Sequence, residues 1–349
     1  MKTTINSDAG TQPASDVRAH RPRARGLLRL RELTTLISIV LCATVFGILN
    51  HKLIGLEPAM VILEGTATDG LMVLGMTLVI VCGGFDLSIG STMAAGGLVV
   101  ALLLKAGVPV PLAVALGLLL GVIIGLTNGF IVTRLKINPF ITTLGTMTVI
   151  RGVVLVVTKS LPPTGFPQSF LDIAWGHVLG IPNPVIIMVI ALVIADLLMR
   201  HLSYLRRAYF VGSNEEAARL CGINTGAVKT LAFALTGMLS ALAGVIVASR
   251  ANAVDPNEGL GAELRVIAAV IVGGASLSGG RGTMLGSFLG LLLMQIISTG
   301  LVFVNVAPEA QLIAVGLVLI VAGVIDRFGS TLGQVLSGFF AARKGEQLK

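Results

Sequence analysis

The chain has 349 residues, 54% of them hydrophobic and only 12% charged, with 43 glycines and a formal charge of +8. A soluble domain of this size needs more charge on its surface, whereas a chain that turns an apolar exterior to lipid does not, so the composition specifies a polytopic membrane protein. The positive excess does not indicate nucleic acid, because its carriers sit in alternate loops between apolar runs.

Lys2, Arg18, Arg21, Arg23, Arg25, Arg29 and Arg31 precede the first apolar run. Arg134, Lys136, Arg200, Arg206, Arg207, Arg219, Arg327, Arg343 and Lys344 fall in later loops of the same parity, which the positive-inside rule makes cytoplasmic. The opposite loops carry Lys52, Lys105, Lys159, Arg250 and Arg265. A span needs about 20 apolar residues. That length predicts about ten spans, at residues 33–49, 59–82, 88–104, 111–132, 139–158, 184–199, 228–249, 264–278, 283–303 and 310–325. Both termini are then cytoplasmic. Residues 1–32 and 329–349 are polar tails around a membrane domain, 33–328, whose largest cytoplasmic loop is 201–228. The N-terminal segment is too long and too poor in small residues to open a secretory signal, so the first run is a retained span.

Along the chain, Glu64 and Asp69 in the second run either stand in water above the hydrocarbon or face an internal path. The segment CGGFDLSIGS, Cys82 to Ser91, follows. Its glycines around Asp86 break the helix, and the freed backbone must then find partners in protein or water. A near copy, GGASLSGG, spans Gly273 to Gly280; without gaps, Asp86 faces Ser276 and Ser88 faces Ser278. Asp and Ser are both good helix caps, which favours capping and chain reversal as their shared role, with a gate at Asp86 as the alternative. The two copies predict a parallel internal repeat.

Gly117, Gly121, Gly125 and Gly129 place glycine on one face of the fourth span, for close packing inside the monomer or against another subunit. The fifth opens INPFITTLGTMTVIRG. Thr142, Thr143, Thr146 and Thr148 either bond back to their own helix or line a path. Arg151, midway along, must snorkel, find an acid or face water. Residues 159–183 hold four prolines and Trp175, an external docking surface or an ordinary loop with an aromatic anchor.

In the central loop, Ser213 and Glu216 have capping-box spacing, Glu215 and Glu216 suit a helix N-terminus, and Gly222 supplies the stop. They predict a two-turn helix from Asn214 to about Leu220. Ala217, Leu220 and Cys221 share one face, either packed on the protein's own surface or offered to a separate subunit. Farther on, Gln295, Ser298 and Thr299 either line a wet path or bond between helices.

No phosphate-binding G-x-x-x-x-G-K-[ST] loop occurs, the four histidines lack ligand spacing, and no nucleophile elbow is present. Cys42, Cys82 and Cys221 form neither a metal set nor a disulfide framework. The chain reads as a non-enzyme without a metal. With aromatics at 5%, it suits a path that releases its cargo rather than a tight site.

Four motifs then occur in order: GGFDLSIGS; NGFIVTRLKINPFITTLGTMTVIRG, Asn128 to Gly152; RRAYFVGSNEEAARLCGI, Arg206 to Ile223; and AAVIVGGASLSGGRGTMLGS, Ala268 to Ser287. Together they resemble the permease subunits of ribose- and xylose-type ATP-binding-cassette importers, over most of residues 33–328. Leu205 and Ser213 depart from that pattern where glycines are usual.

The resemblance implies an all-α polytopic protein of the bacterial inner membrane, paired with a second permease copy or homologue. Separate ATPase subunits would bind ATP and Mg, and a periplasmic binding protein would deliver a sugar. It implies coupling to the ATPase through Arg206, Arg207, Ser213, Asn214, Glu215, Glu216, Ala217, Ala218, Arg219, Leu220 and Gly222. Candidate path or gate residues are Asp86, Ser88, Asn128, Thr142, Thr143, Thr146, Arg151, Ser276, Ser278 and Gln295. The competing readings are a permease for another small polar solute, such as branched-chain amino acids, and a proton-coupled transporter using Asp86, Glu64, Asp69 or Asp196.

Overall fold

The computed structural model describes residues 24–307 and isolated positions between 313 and 324. Both chain ends and nearly all of the tenth predicted span lie outside the described residues. Within them the chain is helical apart from one small hairpin: α1 (Ala24–Leu49), α2 (Leu56–Val81), α3 (Ile89–Lys105), α4 (Val110–Arg134), α5 (Pro139–Thr158), α6 (Gln168–Trp175), β1 (His177–Val178), β2 (Ile181–Pro182), α7 (Asn183–His201), α8 (Ser203–Ser213), α9 (Glu215–Leu220), α10 (Thr225–Ala251), α11 (Ala262–Val272) and α12 (Met284–Phe303).

Seven of these helices, α1, α2, α4, α5, α7, α10 and α12, are long and apolar enough to cross a membrane. The chain is thus an all-helical, multi-pass membrane protein. Two predicted spans fall below the length of a full crossing, the third as predicted and the eighth more so. The third is α3, of 17 residues. The eighth is α11, whose 11 residues rise about 16 Å, roughly half of a hydrocarbon core. It starts two residues before the predicted span, after the left-handed Gly261 (φ 76°), and the shortening lies at its end, where Gly274, at φ 95°, stops it six residues early. Its apolar run misleads because Val266, Ala268, Ala269 and Val270 are wholly buried in protein and face no lipid.

Helix α10 is the axis, packed against α2, α3 and α4. Its contacts are made by missing side chains. A Cβ on Gly121 would strike the carbonyl of Gly237, one on Gly125 the carbonyl of Phe233, and one on Gly129 would come within 2.7 Å of Thr230 Cα. The four-residue glycine ladder therefore packs within the chain, and Gly75, Gly96 and Gly97 continue the same close approach to α10 from α2 and α3. In lipid such contacts supply the association energy that hydrophobic burial supplies in water.

At one end of the bundle lies the predicted loop 159–183, which is built. Phe166 and Phe170 pack edge to face at 5.5 Å. Ser249 Oγ donates to the Phe170 carbonyl (2.7 Å) and accepts from Ala174 N (3.0 Å), and Trp175 Nε1 donates to the Arg250 carbonyl (3.1 Å). Strands β1 and β2 pair antiparallel with His177 opposite Pro182. At the other end, α8 and α9 form most of the central polar loop.

Candidate functional site

Two glycine loops meet α8, and they share one turn. Gly83 N donates to Ile80 O (2.8 Å) and Gly84 N to Val79 O (2.9 Å); Gly274 N donates to Ile271 O (2.9 Å) and Ala275 N to Val270 O (3.1 Å). Both are the paired bonds of a Schellman stop, with Gly83 and Gly274 left-handed. On this turn Gly83 matches Gly274, one residue out of step with the gapless alignment. The step is recovered at the next pair: Ser88 N donates to Asp86 Oδ1 (2.9 Å), and Ser278 N donates to Ser276 Oγ (3.3 Å).

The loop ahead of α3 carries more than a turn. Ser88 Oγ donates to Asp86 Oδ1 (2.6 Å) and accepts from Asn128 Nδ2 (2.9 Å), while Asn128 Oδ1 accepts from Thr146 Oγ1 (2.7 Å). Asp86, Ser88 and Asn128 are at most 1% exposed. This relay ties the α2–α3 loop to α4 and α5, and it gives a buried carboxylate the donors it requires. Thr148 bonds back to Leu144 O, and Thr143 bonds back to Pro139 O (2.9 Å) while also reaching Phe85 O of the same loop (3.4 Å). The hydroxyls of Thr142, and of Thr92 one turn into α3, are buried without a hydrogen-bond partner.

The other candidates lie apart. Arg151 donates to Pro256 O (2.6 Å), in the loop between α10 and α11. Gln295 packs on Gly65, in the seam between α12 and α2. The acids weighed for proton coupling each hold a partner of their own: Glu64 pairs with Arg250 (3.0 Å), Asp69 with Arg265 (3.5 Å) and Asp196 with Arg200 (2.6 Å). The two arginines that run against the positive-inside bias are thus matched by carboxylates on α2.

The predicted helix of the central loop is present, with two corrections. Its cap is Asn214, whose Oδ1 accepts from Ala217 N (2.9 Å). Ser213 is the last residue of α8 and donates to Tyr209 O (2.7 Å), so the expected Ser213–Glu216 capping box does not form. The cause is the preceding helix, which continues through 213 and leaves the extended cap conformation to its neighbour. Glu216 pairs with Arg219 instead, at 3.5 Å. Packing also falls on a different face: Ala218 is buried, whereas Ala217, Leu220 and Cys221 are exposed, Leu220 to 82%.

Three residues that the sequence reading passed over hold this segment. Lys229 of α10 pairs with Glu215 at 2.6 Å. Burial pushes the Glu215 carboxyl up, but the Lys229 bond and charge outweigh it and leave the group below its ordinary range. Tyr209 donates to Gly282 O (2.9 Å). A Cβ on Gly212 would strike Val81 O, at the end of α2, and lie 2.6 Å from Gly280 N. Gly280 N itself donates to Val81 O (2.9 Å). Residues 81–83, 212–213 and 279–282 are therefore one backbone junction. A lysine at the edge of an apolar run was the available signal for Lys229, and Leu205, Ala208 and Val211, buried at three-residue spacing, were the signal for α8. Leu205 fills a core position and Arg207 lies over the Tyr204 ring at 5.4 Å, while Arg206 is exposed.

Comparison with known proteins agrees with this architecture. The family model for the permease component of branched-chain amino acid transport systems matches residues 59–323. The ribose import permease protein RbsC of Bacillus subtilis is 40% identical over 302 residues, 85% of this chain and 93% of that protein. RbsC of Escherichia coli K12 is 36% identical over 301 residues, 85% of this chain and 94% of that one. The L-arabinose transport system permease protein AraH of the same strain is 36% identical over 280 residues, 80% and 83% of the two chains. No solved structure matches. The chain is a member of the transport-permease family represented by these import permeases.

Proposed function

We propose that this chain is the membrane-spanning subunit of an ATP-binding-cassette importer for a ribose-like monosaccharide, and that it is not itself an enzyme. It works with a second permease copy or homologue in the bacterial inner membrane, spans it about ten times with both termini in the cytoplasm, and carries a parallel internal repeat. A periplasmic binding protein delivers the sugar to the α6 end. ATPase subunits holding ATP and Mg bind at α9; the chain itself needs no cofactor or metal. Supporting the sugar are the printed names of the ribose and arabinose relatives.

The observation that carries the reading is the backbone junction of α8 with both glycine loops. Helix α9 has six residues and an exposed Leu220, so it is too short to persist by itself and offers a side chain to a groove on another protein. It is joined through Asn214 to α8, and through Glu215 to α10. A displacement of α9 by the ATPase therefore moves both loops together, and the loop at Asp86 opens on the Ser88–Asn128–Thr146 relay. In this reading Asp86, Ser88, Asn128, Thr142, Thr143, Thr146, Ser276 and Ser278 line or gate the path. Arg151 holds the opposite, α10–α11 loop, and Gln295 sits beside the path.

The test is uptake of labelled ribose into liposomes that contain the chain, its ATPase subunits and binding protein, with ATP inside. Uptake that needs the full set supports the proposal; gradient-driven uptake by the chain alone overturns it. Cys221, the one exposed cysteine of the three, gives a direct check on docking. Its maleimide labelling is expected to fall when the ATPase is added.

A further inference from the structure

Beside α9 lies a cleft of about 990 Å³, bounded by α4, α5, α9 and α10, whose α4–α5 wall the coupling argument does not use. Its mouth is basic. Arg134, Lys136, Arg219 and Lys229 line it against one carboxylate, Glu215, which Lys229 and Arg219 already engage at 2.6 and 3.9 Å. Arg134 and Lys136 have no ion pair among the described residues. Lys136 is held at φ 56°, in the short connection between α4 and α5. The N-terminal ends of α5 and α10 open into the same cleft and add their positive dipole ends.

From that mouth the lining runs along α4 over Phe130 and Leu126, one helical turn apart and 55% and 44% exposed. Large apolar side chains left open on a membrane helix face hydrocarbon. The cleft thus has a cationic mouth at the membrane surface that continues into an apolar wall. A free phosphate would use only the mouth, and a soluble protein segment could not follow the wall into lipid.

We propose that this cleft binds an anionic phospholipid, its phosphodiester at Arg134 and Lys136 and an acyl chain along Phe130 and Leu126. The proposal rests on the orientation given above, in which this end of the bundle is cytoplasmic, where anionic headgroups are attracted by clustered basic side chains. A lipid seated there lies against Arg219 of α9 and the α10 residues that anchor it. The membrane's anionic content then biases the position of the docking helix.

The experiment uses the purified full chain, delipidated in neutral detergent and offered phosphatidylglycerol and phosphatidylcholine together, with retained lipid counted by mass spectrometry. Wild type is expected to prefer phosphatidylglycerol by on the order of tenfold. Arg134→Gln/Lys136→Gln is expected to bring that ratio near one while still retaining phosphatidylcholine and eluting as a single species. Lys105→Gln, an exposed cation elsewhere, is expected to keep the preference, and Phe130→Ser to lower retention of both lipids at the site. Equal retention of the two lipids by wild type, or a preference unchanged in the double variant, overturns the proposal. Displacement by glycerol phosphate at lipid concentrations assigns the site to a free anion. Displacement by the ATPase subunit, with ATPase binding lost in the double variant, assigns the cleft to that protein. Either result overturns the lipid reading. Lipid retention is measured without sugar or ATP, so its failure is separable from failure of the transport proposal.

Discussion

The two glycine loops begin alike and end differently. Each stops a helix with the same pair of backbone bonds and a left-handed glycine, and each then turns a side-chain oxygen back on the amide two residues ahead. After that the first loop enters α3 at once and buries its carboxylate in a relay across three elements. The second runs on through Gly279, Gly280 and Gly282, all left-handed, and is held by backbone groups and the Tyr209 hydroxyl. One turn thus serves two tasks. Both loops meet α8, and side-chain chemistry distinguishes the one tied to α4 and α5 from the one held by backbone groups and Tyr209.

Substitutions can separate these tasks. The largest effect is expected at Gly212, where both loops converge and a Cβ has no space against backbone atoms that cannot move aside. Gly212→Ala is expected to abolish uptake and to lower the amount of folded permease; wild-type uptake from Gly212→Ala would show that the junction is loose. Next is Asp86, which acts on the first loop alone. Asp86→Ala leaves the buried Ser88 amide and hydroxyl without their acceptor, a loss of about 1–3 kcal/mol that should reduce uptake at least tenfold. Asp86→Ser restores an acceptor of the kind Ser276 supplies and is expected to keep most activity. Equal loss in both variants, with normal insertion, would assign the role to the charge.

Smaller effects are expected from Glu215, which touches neither loop. Its carboxyl lies below the ordinary range when folded, so the contribution of the Lys229 tether is present above the unfolded value and lost as pH falls through the folded one. Uptake coupling should therefore be flat from neutral to mildly acidic pH on that side, and Glu215→Gln should reproduce the low-pH behaviour at neutral pH. ATP hydrolysed per sugar, measured in liposomes against internal pH, reads this. The smallest effect is Tyr209→Phe, which removes one neutral hydrogen bond to the second loop, about 1 kcal/mol, and should slow uptake a fewfold while leaving folding intact.

Legibility followed the range of each interaction. The helix breaks at Gly83 and Gly274, the turn at Asp86 and the stop at Gly222 are local, and all could be read from neighbouring residues. The cap of α9 was misread by one residue because Ser213 and Asn214 are both good caps, and only the extent of α8 decides between them. Asn128 gave little sign of its part in the relay, since its partners Ser88 and Thr146 lie on other elements. The glycine ladder was visible, but its partner helix was not; small residues say that something approaches closely without naming it. The eighth predicted span was already short for a crossing, but the burial of α11 in protein was hidden for a different reason. A helix buried in protein and one facing lipid have the same composition, and hydropathy alone cannot tell them apart.

The seam between α4 and α10 also bears on how the protein is made. Helix α4 is synthesised well before α10, and until α10 arrives the stretch of its glycine face at Gly121, Gly125 and Gly129 has no surface to rest on. The early helices can cross the bilayer but cannot settle against one another in their final places. Cutting the chain in the loop before α10 would therefore yield two fragments that insert and assemble only together, and a stall in synthesis at that point would leave bare glycine backbone turned toward lipid, the kind of surface by which quality control recognises an unfinished membrane protein.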